Sequence, residues 1–327
     1  MGGANRMHRP RRGSMQVWPR VRAKKQTPRV KSWAASKEVK LLGFLGYKVG
    51  MTHVLIKDQN QNSPTKNLNV AKAATIIECP QIKVKGIRFY KGSDFGLRLA
   101  GEINTDKVDK ELLRKLGKSK KKENVPEEYD EIRAVVYTQP KLTSVKKKKP
   151  DVLEISLGGE NKEKKLEFAK QLLEKGAKIE DVFKEGQLVD IHSVNKGKGF
   201  QGTVKRFGVK IRQHKSEKTK RGIGNLGAWT PKKVQFTVPQ PGKMGYHLRT
   251  EYNKLVLKVG EKPEQVNPKG GFLRYGNVKG DYIIVVGSVP GPVKRIMAIT
   301  EPIRFQPKFK LQKPMISYIS KESKQRR

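Results

Sequence analysis

LLGFLGYKVGMTHVLI occupies Leu41 to Ile56. Two short apolar segments flank Lys48, Val49 and Gly50, and that arrangement predicts a hairpin-like pair of strands. Comparable segments recur along the chain. Val70 to Glu78, Ile82 to Tyr90, Ile132 to Thr138 and Val152 to Leu157 read as strands. So do Gln187 to Val194, Val234 to Val238, Leu255 to Val259, Tyr282 to Ser288 and Ile296 to Thr300. Many short strands punctuated by Gly and Pro point to a β-barrel or a β-sandwich.

Two helices interrupt the strands. In TDKVDKELLRKLG, Thr105 is placed to cap, Val108, Leu112 and Leu116 share a face, and Gly117 ends the run. In NKEKKLEFAKQLLEKG, Asn161 caps, Leu166, Ala169, Leu172 and Leu173 form the apolar face, and Gly176 stops it. Both lie in residues 99–178, which read as a small α-containing insertion packed on the β structure. The predicted class is therefore mainly β with an α insertion.

Charge separates the chain into zones. Over 327 residues, 72 Lys and Arg face 30 Asp and Glu, a formal net charge of +42. A compact protein with that excess repels itself unless a polyanion neutralises it, and nucleic-acid phosphate is the usual one. Residues 1–40 hold twelve basic residues and one acid, and residues 196–229 hold ten and one. Residues 101–133 are balanced at nine and nine, and residues 151–190 are net acidic, seven against ten. Two segments are thus suited to phosphate, and the middle of the chain is ordinary solvated surface. The basic loop runs Lys118 to Lys122 and Lys146 to Lys149 read equally well as solvated charge.

Other classes fall away. No apolar run is long enough to span a membrane, and no basic amphipathic helix or secretory stretch is visible, so no membrane partner is expected. The lone Cys79 supports neither an internal disulfide nor a zinc site, and fits a reducing, cytosolic setting. No metal or other cofactor is predicted. GKGFQGTV, Gly197 to Val204, matches a kinase glycine loop, and Asp94 to Gly96 reads DFG. Their order is wrong for a kinase, because DFG must follow the glycine loop. A dinucleotide site fails as well, since no plausible helix is read after Gly202 and no acid lies about twenty residues downstream as that motif requires. His53 and His192 sit in strands and read as structural.

Residues 1–38 are rich in Pro, Gly, Arg and Lys and show no period. Alone they cannot bury enough surface to offset chain entropy, so they are expected to be an extended tail that orders on RNA. Its candidate RNA contacts are Arg9, Arg11, Arg12, Arg20, Arg22, Lys24 and Lys25, with Trp18 and Trp33 stacking on bases or plugging RNA crevices. In the glycine loop, Gly197, Gly199 and Gly202 let backbone N–H groups approach phosphate, and Lys196, Lys198, Lys205 and Arg206 add charge. Ile211 to Val234 then reads as a basic shaft of Arg212, His214, Lys215, Lys218, Lys220 and Arg221, a glycine-rich end, and an outward Trp229. Lys232, Lys233, Lys243, His247 and Arg249 complete the predicted RNA-facing set, with His214 and His247 as phosphate donors. No catalytic constellation is visible, and no small-molecule substrate is expected. An RNA-modifying enzyme would need a cofactor loop or a base in a cleft. A DNA-compacting protein would bind duplex DNA comparably.

FKEGQLVDIHSVNKGKGFQGTVKR, Phe183 to Arg206, closely resembles the diagnostic stretch of the universal large-subunit ribosomal protein L-three family. The matching frame is Phe183, Asp190, Ser193, Gly197, Lys198, Gly199, Gly202 and Arg206; Asn195 stands where Ser or Thr is usual. HRPRRGS, GFLGYKVGMTHV, IGNLGAWTP with PGKMGYHLRTEYNK, and GGFLRYGNVKGDYIIVVGSVPGPVKR resemble its archaeal and eukaryotic branch. The resemblance implies a translation-factor-type β-barrel at 39–98 and 179–303, containing an RNA-penetrating loop at 196–252. It also implies an α/β insertion at 99–178, the tail at 1–38 and a basic C-terminal tail at 304–327. By the same resemblance the protein is a non-enzymatic constituent of the large subunit in cytoplasmic ribosomes, contacting large-subunit rRNA and neighbouring ribosomal proteins. It binds near the 3′ end of that RNA, nucleates assembly, and its Trp loop approaches the peptidyl transferase centre.

Overall fold

The computed structural model describes residues 10–105, 108–117, 122–216, 218–230, 232–305, 312–323 and 325. The basic run at 118–122 lies almost wholly outside the described residues, as does most of 304–327 before residue 312. The chain is mainly β and divides into two compact units, residues 25–194 with 249–327, and residues 1–24 with 195–248.

The larger unit contains two sheets. The first joins β1 (Gly43–Lys57), β2 (Asn69–Glu78), β8 (Leu188–Val194), β11 (Leu248–Gly260), β12 (Tyr282–Val286), β13 (Ile296–Thr300) and β14 (Met315–Ile319). Their order is β13-β8-β11-β12-β2-β1-β14, and β13 also pairs with β1. The expected hairpin at Leu41–Ile56 is instead the single strand β1. Lys48 pairs with Ile77 and Gly50 with Ile76, so Val49 is the extra residue of a bulge. The bulge bends the strand without reversing it. A Cβ on Gly50 would come within 2.9 Å of Phe272 Cδ1, so glycine serves close packing here. N-terminal to the bulge β1 is buried on both faces and pairs chiefly with β13; beyond it, where it pairs with β2, buried and exposed residues alternate.

The second sheet has the order β5-β4-β3-β6-β7, from β3 (Lys83–Ser93), β4 (Gly96–Asn104), β5 (Lys122–Glu123), β6 (Glu131–Tyr137) and β7 (Val152–Ser156). This corrects the boundary expected at residues 98 and 99. β3 belongs to the insertion because it closes a tight hairpin with β4, Ser93 opposite Gly96, and pairs with β6 on its other side. The DFG decoy is that hairpin turn. The helix α2 (Lys162–Lys175) packs on this sheet as the spacing predicts, burying Ala169 and Leu172. Asn161 Oδ1 accepts from Glu163 N at 2.9 Å, a cap that stabilises the helix by about 1 kcal/mol. The helix α1 (Lys110–Leu116) starts later than expected, with Asp109 rather than Thr105 at its N-cap. Asp109 makes no side-chain cap bond; it accepts from Lys83 Nζ and from the Tyr137 hydroxyl, each at 3.0 Å.

One buried cluster spans both sheets. The Tyr47 hydroxyl of β1 donates to Asp151 Oδ2 at 2.9 Å, beside β7, so a buried polar link joins them. Four further expectations change. Val234 to Val238 forms turns, not a strand, despite its alternation. Residues 248–252 belong to β11, so the loop ends at His247. The expected C-terminal tail contains β14, which pairs Val54 with Ile319 and Lys57 with Met315. The expected N-terminal tail is not one element: residues from Lys25 onward belong to the sheet unit, where Pro28 is buried and Trp33 packs against the core.

Candidate nucleic-acid interface

The smaller unit is built from residues 1–24 and 195–248. Its base is a backbone ladder between residues 195–201 and 242–247. Asn195 N donates to His247 O at 3.0 Å, Lys198 N to Met244 O at 2.9 Å, and Met244 N to Gly199 O at 2.8 Å. The short strands β9 (Phe200–Gln201) and β10 (Gly242–Lys243) continue it, with Phe200 opposite Lys243. Gly245 makes the ladder possible: its φ is +80°, and an added Cβ would sit 2.1 Å from Lys196 O. The helix α3 (Thr203–Phe207) follows β9 and buries Phe207.

The N-terminal segment packs onto this base. Ala23 N donates to Tyr246 O at 2.8 Å. His247 is buried; its Nε2 accepts from Gly245 N at 3.1 Å, so Nδ1 carries the proton donated to Val21 O at 2.8 Å. Trp18 makes T-shaped contacts with Phe207 at 6.2 Å and Phe236 at 5.9 Å. The Arg20 guanidinium lies 4.1 Å from the Phe207 centroid and donates to Arg206 O at 2.9 Å. Arg11 lies over Trp18 at 5.6 Å and donates to Thr237 O at 2.6 Å. Gly13, at φ +77°, presses its backbone against Phe207, where a Cβ would sit 2.4 Å from Cδ1. The segment is therefore docked on its own chain, where Trp18 and Phe207 supply an apolar centre that a tail read in isolation lacks.

Beyond the base the loop runs outward through basic residues. Arg212 N donates to Lys220 O at 3.0 Å, and its side chain donates to Ile223 O. Trp229 is 84% exposed, with Lys232 Nζ 5.8 Å from its ring. Lys196, Lys198, Lys205, Lys233 and Lys243 are exposed, as are Arg12, Arg22, Lys24 and Lys25. His214, Lys215, Lys218, Lys220 and Arg221 are exposed along the shaft. Gly199, at φ +66°, and Gly202 have nothing within 4 Å of an added Cβ, so their backbone is open to approach.

Five predicted contacts sit differently from the sequence reading. Trp18 is half-buried, its ring packed against Phe207 and Phe236. Trp33 is packed on the sheet unit's core, near Gly43. His247 is buried, with its Nδ1 engaged to Val21 O of the N-terminal segment. Arg206 spends its guanidinium on Lys243 O and Gln240 O. Arg249 is half-buried in β11, and burial lowers its pKa from the ordinary value. Arg9 lies outside the described residues. Phe200 and Phe236, which the sequence reading passed over, are 71% and 82% exposed. The available signal was an aromatic within a basic, Gly- and Pro-rich stretch.

Charge is concentrated here. Residues 1–24 and 195–248 carry twenty Lys or Arg and one acid, Glu217. Among the described residues no group of three His, Cys, Asp or Glu could hold a metal, and no helix is long and apolar enough to cross a membrane. Cys79 is buried, and burial pushes its thiol pKa well up.

The family described as ribosomal protein L3 matches residues 3–130 and 122–326. The large ribosomal subunit protein uL3 of Methanobrevibacter smithii is 46% identical over 333 residues, covering 98% of this chain and 99% of the relative. That of Methanothermobacter thermautotrophicus is 45% identical over 334 residues, with the same coverage. That of Methanococcus maripaludis is 44% identical over 329 residues, covering 97% of this chain and 98% of the relative. From end to end of the described fold, this chain belongs to the ribosomal protein L3 family.

Proposed function

We propose that the protein is a structural constituent of the large ribosomal subunit and binds large-subunit rRNA chiefly through the smaller unit. The observation that carries this is the ratio of twenty cations to one acid over residues 1–24 and 195–248, with most of those cations exposed. Free of phosphate, that density repels itself; against RNA it releases counterions and contributes affinity. Family membership makes the chain a ribosomal protein rather than an enzyme. The fuller reading places it near the 3′ end of the large rRNA, where it nucleates assembly. Its outward loop carries Trp229 toward the peptidyl transferase centre, and its other neighbours are large-subunit proteins of cytoplasmic ribosomes. No membrane or small-molecule substrate enters this reading. Pairing from β1 through β2, β12, β11, β8 and β13 back to β1 supports a barrel of the translation-factor type.

The test is crosslinking in purified ribosomes with mapping of both partners, beside sedimentation in high-salt gradients. The protein should travel with large subunits, and its RNA crosslinks should concentrate in residues 10–24 and 195–248. A free monomer in the gradient, or crosslinks confined to the sheet unit, would overturn the proposal.

A further inference from the structure

Phe200 and Phe236 have no place in the core of the smaller unit, at 71% and 82% exposure. Neither is on a loose segment. Phe200 lies in β9, paired opposite Lys243. Phe236 is steadied by its T-shaped contact with Trp18 at 5.9 Å, with most of its ring left to solvent. Exposed aromatic surface is unfavourable in water, and these two rings lie in the most basic part of the chain.

The surroundings select the partner's class. A protein opposite this unit would have to be strongly acidic to meet twenty cations and one acid. RNA supplies phosphate for the cations and flat base faces for the rings. A base inside a continuous duplex has both faces stacked, so only unpaired bases present a face to a side chain.

We propose that Phe200 and Phe236 are stacking positions for unpaired nucleobases, so that this unit selects single-stranded or junction RNA over uninterrupted duplex. The proposal rests on the RNA-binding reading above and adds the class of RNA taken. Trp18 acts as a positioning residue, because it holds Phe236 while turning its own ring inward.

The experiment uses the full chain and two probes with equal numbers of phosphates, an unpaired oligoribonucleotide and a perfect RNA duplex. Phe200→Ala and Phe236→Ala should each lower affinity for the unpaired probe about tenfold, the order expected for loss of one base–aromatic stack. Duplex affinity and the slope of binding against salt should stay unchanged, since no phosphate contact is removed. Phe→Tyr at either position should restore binding. Phe200→Ala decides the matter if Phe236→Ala disturbs the Trp18 packing. Equal losses on both probes would overturn the proposal. So would unchanged affinity on both; if Phe200→Ala then weakened binding to purified large-subunit proteins, the rings would be assigned to a protein interface. Wild-type protein with no salt-dependent binding to either probe would instead sink the RNA-binding reading itself.

Discussion

Trp18 and Trp229 have the same side chain and opposite structural roles. Trp18 packs against Phe207 and Phe236, whereas Trp229 is 84% exposed. Trp18→Ala should therefore cost about 2 kcal/mol, less than a full core truncation because the ring is only half-buried. The expected sign is faster amide exchange over residues 10–24 in free full-length protein. Trp229→Ala should change folding stability by less than about 1 kcal/mol. Chemical probing of mutant large subunits should instead show altered reactivity near the peptidyl transferase centre. A large stability loss with unchanged RNA reactivity would count against the outward-finger reading. His192 offers a pH-dependent case. It is buried between the hydroxyls of Thr250, 2.8 Å away, and Thr300, 3.1 Å away. Burial lowers its pKa, against a smaller opposing pull from Asp190. The unfolded chain therefore binds the proton more readily, so His192's contribution is full above its ordinary value near 6.5 and declines as pH falls below it. Thermal unfolding of wild type and His192→Asn should show that loss in the wild type and a flatter profile in the variant.

At the level of elements, local pattern succeeded where the element carries its own signal. Asn161, the apolar face of α2 and Gly176 are local, and the helix lies where they place it. Strands buried on both sides, such as β12 and β13, were legible for the same reason. Failures arose where a distant partner decides. Lys48, Val49 and Gly50 read as a turn but form a bulge, because β13 and β2 flank the strand and keep it running. Val234 to Val238 alternates like a strand, yet Phe236 packs on Trp18, some two hundred residues earlier in the chain. The basic character of the interface was visible in composition. The division of its aromatics into packed and exposed was not, since Trp18 becomes interior only when Phe207 is brought beside it. Gly245 gives the corresponding test. Gly245→Ala must overcome a φ of +80° and a Cβ 2.1 Å from Lys196 O. It should raise exchange along residues 195–201 and 242–247 and weaken RNA binding, while amides of β1, β2 and β12 keep their protection. Loss of protection in those sheet strands would show that the two units do not fold separately.

For the whole molecule, charge governs how the protein meets its surroundings. The +42 is carried disproportionately by the smaller unit, so salt should act mainly there. Deleting residues 1–24 removes seven Lys or Arg and should flatten the dependence of log affinity on log salt by at most about 5–6 units. An unchanged slope would mean that these cations do not face phosphate. Extending the deletion to residue 38 should add a different defect, lowered thermal stability of the sheet unit, because Val30 and Trp33 pack against its core. The docking of Val21 on His247 also has a consequence in time. The two residues are separated by 226 positions in the chain, and synthesis at about 5–20 residues per second puts roughly 10–45 s between them. Through that interval a growing chain displays its first cations and Trp18 with nothing of its own to cover them, open to any RNA in reach. The Val21 segment can dock only after the loop has emerged, so a part made early is among the last to be folded.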